Sequence, residues 1–376
     1  MTKIDFIYFD AGGGHRAAAT ALKAVIEQQQ RPWDVRMVHL QELLDPLDIF
    51  RKVTGVRLQD VYNTMLAKGW TLGAEPGLKL MHAIIRMYHE PGVNLLREHF
   101  ANSRPDMVVS LVPNFNRALH QSLKAEDPHA PFVTILTDFA DHPPRFWMER
   151  QEQFLICGTK KAVEQARAMG HREEAVFQVS GMVLRPKFYE TITADRRVER
   201  ERLGLDPDLP TGLVLFGGHG SKVMLDIARR LNGTQLIFLC GRNQKLAEGL
   251  SALPSSAPKF VEGFTSEIPY YMHLADFFIG KPGPGSISEA IAMKLPVIVE
   301  RNARTLPQER YNADWIREHR VGLVLESFRD IAPAVHRLIR DLEWFRANVA
   351  KIENRAVYEI PEILEGVLRK RRGESH

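Results

Sequence analysis

The sequence predicts an α/β protein made of two doubly wound parallel sheets. Three observations carry this. Short apolar runs alternate with helix-like stretches along most of the 376 residues, the pattern of parallel strands joined through helices that cover both faces of a sheet. The pattern begins twice, each time as a strand running straight into a glycine loop and a helix: FDAGGGHRAA in the first half, LFGGHGSKVMLDIARRL in the second. Between the halves, strand periodicity stops in the charged stretch RPKFYETITADRRVERERLGL. Two independent domains explain this better than one long sheet.

Taken in order, the first half should place strands near FIYFD, VRMVHL, MVVSLV, FVTILTD, FLICGT and VFQVSG. The second should place them near LVLFGG, QLIFLCG, KFVEGF, FFIGK, PVIVE and GLVLE. The hinge is expected at about residues 186–200, after Pro186. The first domain then spans 1–190 and the second 191–355, with a closing helix and basic tail over 356–376. Pro361 should interrupt the C-terminal helical stretch. Residues 46–99 hold no clear strand. There the run LKLMHAIIRMY interleaves Lys79, His82 and Arg86 with apolar residues. It reads either as a helix packed on the core or as an interfacial helix with its basic residues toward lipid headgroups.

Composition narrows the classes. Hydrophobic residues make up 44% and charged residues 26%, which is globular rather than disordered. No apolar run reaches the length of a spanning helix, and the N-terminus reads as a strand rather than a signal peptide. Cys157 and Cys240 each end an apolar run, so both are expected as buried thiols in a reducing compartment. The net charge of +4 is mild, but residues 51–100 carry seven Lys/Arg against four Asp/Glu. Arg369, Lys370, Arg371 and Arg372 stand in a row, either as a solvated end or as a group drawn to anionic lipid. No groove-reading motif or basic–aromatic interleaving points to nucleic acid.

Four clusters carry chemistry. The first glycine loop matches a weak dinucleotide fingerprint through Gly12, Gly14 and Ala17. The acid that should follow the second strand is missing, however, since that strand ends VHLQ and Glu42 comes late, so a dinucleotide is disfavoured. His15 falls in the first turn of the helix. The positive helix dipole should keep it neutral and able to take a proton from an alcohol. The second cluster is GKPGPGSISEA, where Gly285 and Ser286 open a helix as a diphosphate cradle. Glu289, one turn on, suits two ribose hydroxyls. Beyond the next strand, Gln308 and Glu309 in LPQERYNA are placed to meet a sugar's hydroxyls. The third cluster is LCGRNQKL, where Arg242 is a candidate bidentate donor to a diphosphate. The fourth, TDFADHPPRFW, brings Asp138 and His142 to a strand's carboxyl end. No metal-ligand spacing is present, so no metal is expected.

On GGGHRAAATAL, TDFADHPPRFW, VSGMVLRPKFYE, LCGRNQKLAEGL, VEGFTSEIPYYMHLADFFIGKPGPGSISEA and LPQERYNA, the chain resembles the monogalactosyldiacylglycerol synthase and processive diacylglycerol glucosyltransferase family. These stretches run from residue 10 to about 325, in the family's order. The resemblance implies a GT-B fold, with two Rossmann-like domains facing across a cleft that holds the active site. It implies metal-independent, inverting transfer of a hexose from UDP-galactose or UDP-glucose to a lipid acceptor of the diacylglycerol type, with no cofactor. His15 is then the general base, with Asp138 the alternative. Glu289 binds the ribose, Gln308 and Glu309 hold the donor sugar, and Phe264 meets the uracil. Gly14, Gly218, Arg242, Gly285 and Ser286 complete the donor contacts. Arg310 stands after Glu309, where small residues are commoner in the family, and so galactose and glucose both stay open. The expected location is cytoplasmic, peripheral on the inner face of the cell membrane, at an anionic surface. A UDP-sugar epimerase of the same fold, a non-catalytic nucleotide-sugar-binding protein and transfer to a soluble acceptor remain alternatives.

Overall fold

The computed structural model describes residues 1–10, 14–45 and 89–373. The expectation of an interfacial or core-packed helix in 46–88, with Lys79, His82 and Arg86, lies outside the described residues, as does Gly12. All twelve expected strands are present. They form two six-stranded sheets, and every pairing between neighbouring strands is parallel.

The chain divides into two compact units. One comprises Met1–Arg185, Leu306–Gln308 and Arg355–His376; the other comprises Pro186–Thr305 and Glu309–Asn354. The first unit holds β1 (Thr2–Tyr8), β2 (Trp33–His39), β3 (Met107–Ser110), β4 (Phe132–Ile135), β5 (Phe154–Cys157) and β6 (Val176–Gln178), in the order β2-β1-β3-β4-β5-β6. The second holds β7 (Thr211–Leu215), β8 (Gln235–Leu239), β9 (Lys259–Glu262), β10 (Phe277–Gly280), β11 (Val297–Glu300) and β12 (Gly322–Leu325), in the order β12-β11-β10-β7-β8-β9.

Every residue of β3, β4, β7, β8 and β10 is buried, whereas the edge strands β9 and β12 are only half-buried. Central parallel strands must satisfy two apolar faces, and so they read as unbroken hydrophobic runs. In each sheet the direction of winding reverses once. The reversal falls between β1 and β3 in the first unit and between β7 and β10 in the second. In doubly wound sheets, ligands bind beyond the carboxyl ends of the strands at such a reversal.

The helix Gly14–Gln28 follows β1 and buries Ala18, Ala19, Ala21, Leu22, Val25 and Ile26, a stripe with helical spacing that packs it on the sheet. Both cysteines are fully buried. Burial pushes the Cys157 thiol up to about 12 and the Cys240 thiol up to about 11, a nearby carboxylate helping in each case, so both stay protonated.

Two features differ from the sequence reading. The helix Ala356–Arg371 runs straight through Pro361. The missing N–H bond and ring clash cost about 3 kcal/mol in a helix interior. Burial of Val357, Ile360, Leu364, Val367 and Leu368, with the proline ring itself, holds the helix together. The basic tail is also only in part a solvated end: Arg369, Lys370 and Arg372 are exposed, but Arg371 pairs with Asp127 at 2.6 Å and also donates to the Asp106 carbonyl, and Arg372 donates to the Thr2 hydroxyl at 2.8 Å. Among the described residues, no helix is long and apolar enough to cross a membrane.

Candidate functional site

In the first unit, His15 is half-buried at the start of the helix that follows β1. Its Nδ1 lies 3.1 Å from Thr137 Oγ1, in the segment after β4. Its ring stands 5.7 Å from the Trp147 ring, tilted by 47°. The imidazole pKa falls to about 4, mainly through burial; a hydrogen bond to the Leu111 backbone works the other way. The sequence assigns this neutrality to the helix dipole. The direction agrees, but the larger physical cause is loss of water around the ring.

The TDFADHPPRFW segment builds the wall beside His15. Asp138 is 8% exposed and accepts from the Trp147 indole N–H at 2.8 Å. Asp141 accepts from the backbone N–H of Trp147 at 2.6 Å and of Arg145 at 2.9 Å. Burial raises the Asp141 carboxyl above its ordinary range, against the pull of these donors. Asn116 completes the frame: its amide donates to the carbonyls of Trp147 at 2.8 Å and Val112 at 3.1 Å, and it accepts from Ser110 at 2.6 Å. Asp138 is thus engaged in placing Trp147, which in turn faces His15. The His142 imidazole is pushed toward neutral, chiefly by burial.

In the second unit, three loops beyond β7, β8 and β9 interlock. Gly217 and Gly220 have φ of +78° and +59°, which lets the GGHGS turn close with Gly220 N–H donating to the Gly217 carbonyl at 3.1 Å. Gly218 is exposed, and its carbonyl accepts from Arg242 N–H at 2.9 Å. Gly241 has φ +57°, and a Cβ there would stand 2.3 Å from the Gly218 oxygen. Asn243 caps the helix Gln244–Ala252 through Leu246 N–H and donates its amide to the His219 carbonyl at 3.2 Å. The Arg242 guanidinium lies over the Phe264 ring at 5.0 Å, and that ring is 63% exposed. A pairing of this kind, about 0.5–1 kcal/mol at an exposed site, leaves a flat apolar face and a cation side by side.

Beyond β10, the helix Pro284–Ala292 starts with Gly283 as its N-cap and no side-chain cap. Pro284 brings no N–H, so Gly285 and Ser286 present the first backbone donors. A Cβ at Gly285 would meet nothing within 4 Å, so the approach to these donors is open. Glu289 sits half-buried further along the same helix. Gln308 and Glu309 follow β11, Gln308 half-buried and Glu309 only 7% exposed. Glu309 Oε1 accepts from Lys281 Nζ at 3.0 Å. It therefore presents a lysine where the sequence reading expects a bare carboxylate. Asn312 pins the Pro282 carbonyl at 2.7 Å and fixes the start of this loop.

The structure thus joins His15 to the Asp138 segment, and Arg242 to Phe264 and Gly218. It also adds Thr137, Trp147 and Lys281, which the sequence reading passed over. All three lie inside quoted motifs, Thr137 and Trp147 in TDFADHPPRFW and Lys281 in GKPGPGS; the partners of Thr137 and Lys281 lie 122 and 28 residues away, beyond any local pattern.

The comparisons with known proteins follow the same division. Residues 15–183 match the family model of monogalactosyldiacylglycerol synthase. Residues 213–354 match the C-terminal domain of glycosyltransferase family 28. The chain is similar to a probable chloroplastic monogalactosyldiacylglycerol synthase of Glycine max, 27% identical over 99% of this chain and 69% of that protein. It is likewise 27% identical to the chloroplastic monogalactosyldiacylglycerol synthase of Spinacia oleracea, over 96% of this chain and 72% of that one. Among solved structures, MurG of Acinetobacter baumannii superposes with a TM-score of 0.63 at 12% identity, covering 97% of this chain and all (100%) of that one. The calicheamicin glycosyltransferase CalG4 superposes with a TM-score of 0.57 at 17% identity, covering 98% and 99%. The architecture is GT-B.

Proposed function

Because the chain belongs to the monogalactosyldiacylglycerol synthase family of glycosyltransferases, we propose that it transfers a hexose from a UDP-sugar to the free hydroxyl of diacylglycerol, with inversion. The observation that carries the mechanism is His15, neutral through burial and fixed at Nδ1 by Thr137. In the tautomer that carries its proton on Nδ1, Nε2 is the basic atom. It takes the proton of the acceptor hydroxyl as that oxygen attacks the anomeric carbon opposite the diphosphate. The bond from the anomeric carbon to the acceptor oxygen forms, the bond to the diphosphate oxygen breaks, and UDP leaves with the electron pair. Asp138 acts through Trp147 as a positioning residue, holding the wall against which the imidazole sits.

Donor recognition in this reading falls mainly to residues of the second unit. Phe264 stacks on the uracil and Glu289 accepts from the ribose hydroxyls. Arg242, Lys281 and the N–H groups of Gly285 and Ser286 meet the diphosphate as its charge grows. Gly14 and Gly218 let backbone approach the ligand. Gln308 and Glu309 frame the sugar, Glu309 by steering Lys281. With cations and helix dipole set against the leaving group, the reaction needs no metal and no cofactor. The relatives' names favour galactose as the hexose.

The acceptor is a bilayer lipid, so the enzyme works at a membrane surface, peripheral on the cytoplasmic face. The basic surplus of residues 51–100 supplies attraction to anionic lipid in this reading.

An acceptor screen tests the proposal. Radiolabelled UDP-galactose and UDP-glucose are incubated with vesicles containing diacylglycerol, and the lipid is extracted. Label should pass into the organic phase, more from UDP-galactose. Conversion of the UDP-sugar without any acceptor would identify an epimerase instead, and donor binding with no turnover on any lipid would leave only a binding protein.

A further inference from the structure

At the opposite end of the first sheet from His15, a cavity of about 250 Å³ opens beneath the C-terminal helix. Thr2 and Trp33 are register partners at the amino ends of β1 and β2. His15 follows the carboxyl end of β1, roughly 20 Å along the strand at about 3.3 Å per residue. Trp33 and Leu368 give the cavity an apolar floor, and three guanidiniums, those of Arg31, Arg369 and Arg372, line it.

One carboxylate faces these three cations. Glu365 accepts from Arg31 at 2.8 Å and from Arg369 at 3.0 Å. Burial pushes the Glu365 carboxyl up, but the two arginines outweigh it and hold the group below its ordinary range, so the carboxylate stays ionised. Arg31 lies over the Trp33 ring at 5.2 Å, which fixes its plane. Arg372 donates to the neutral Thr2 hydroxyl and has no acidic partner among the described residues. Basic residues in a helix's last turn are favourable for the dipole alone, which accounts for Lys370. It does not account for Arg31, which comes from elsewhere in the chain and turns into the same cavity. Neighbouring Arg371, by contrast, has Asp106 and Asp127 as partners.

We propose that this cavity is a second anion site, which takes a phosphate group between Arg31, Arg369 and Arg372 at the seam of the first sheet and the C-terminal helix. Planar guanidiniums offer paired donors that match phosphate oxygens, and a doubly charged phosphate balances the surplus that Glu365 leaves. Bound there, the phosphate ties the last turn of the helix to the amino ends of β1 and β2. The phosphate comes either from an anionic lipid headgroup or from a soluble phosphate, and the chemistry at the cavity is the same.

The test uses the full chain with UDP at saturation, so that the donor site is occupied. Inorganic phosphate is titrated by calorimetry against chloride at equal ionic strength. Wild type should show one saturable phosphate event. R372Q should weaken it about tenfold, the usual size of one lost charge-assisted hydrogen bond, and R369Q/R372Q should abolish it. E365Q removes the competing carboxylate and should tighten phosphate binding; it also keeps the test open if the double variant fails to fold. Equal affinity in wild type and R372Q, no phosphate heat beyond chloride, or weaker binding in E365Q would each overturn the site. Flotation with phosphatidic acid and phosphatidylcholine vesicles then separates the sources. Loss of phosphatidic acid binding in R372Q identifies a headgroup, and unchanged flotation alongside lost phosphate binding identifies a soluble phosphate.

Discussion

His15 is asked to be a base in a place that strips water from it, and the same burial fixes both its chemistry and its pH behaviour. His15→Ala should leave UDP affinity nearly intact and lower turnover by about 10²–10⁴-fold, the usual range for a lost general base. Turnover per folded molecule, measured at saturating donor, decides it; a rate close to wild type would move the base elsewhere. With the folded pKa near 4 rather than 6.5, the acid limb of kcat/KM should fall near pH 4. Stability follows with a definite sign. Between pH 6.5 and about 4 the unfolded chain binds a proton that folded His15 refuses, so the stabilisation is complete above 6.5 and is lost as pH falls toward 4. Burial pushes His120, His142 and His171 the same way, and so His15→Gln should flatten the fall of Tm with acid only in part. Identical slopes for the variant and wild type would mean His15 is not the titrating group. On the donor side, Glu289→Ala should cost about 1.5–3 kcal/mol of UDP affinity through the lost ribose acceptor, and calorimetry with UDP alone reads this directly.

Elements were the most legible scale, for a physical reason. QLIFLC, FFIG and PVIVE announce themselves because a central parallel strand is apolar on both faces. The glycine loops were equally visible, because a turn that needs positive φ selects glycine. What stayed hidden was pairing across the fold. Nothing local in LPQERYNA says that Glu309 is occupied by Lys281, and nothing in FDAGGGH says that Thr137 will meet His15. The proline rule also misled at Pro361, where packing of an apolar stripe outweighs a missing hydrogen bond. The interlocked donor loops yield a prediction at this scale. Gly241→Ala forces a Cβ to within 2.3 Å of the Gly218 oxygen at a φ of +57°. It should destabilise the second unit by about 1–3 kcal/mol and weaken UDP binding together with it. A thermal melt with and without UDP checks both, and an unchanged melt would mean that the turn can relax.

At the scale of the whole molecule, the chain leaves its first unit at Arg185 and, apart from Leu306–Gln308, returns to it only at Arg355. The returning helix Ala356–Arg371 buries seven residues. Ion pairs Arg31–Glu365 and Arg371–Asp127 fasten it to the first unit. Deleting 355–376 should therefore lower the melting of the first unit, which holds His15, rather than that of the sequence-adjacent second unit. Hydrogen exchange resolved by segment would show the loss in residues 14–45. Protection lost only in 310–354 would contradict it.

That returning helix also sets an order of events in synthesis. A ribosome delivers residues 1–185 early, yet the helix that covers them is made only after the second unit. The first unit has to wait, with apolar surface open, while the second is synthesised and folds. A message cut short just before Arg355 yields a chain whose donor-binding half is complete and whose base-bearing half is not. Completion of His15's unit thus has to wait until synthesis has passed the whole of the second unit, and nascent chains stalled before that point are natural clients for a holding chaperone.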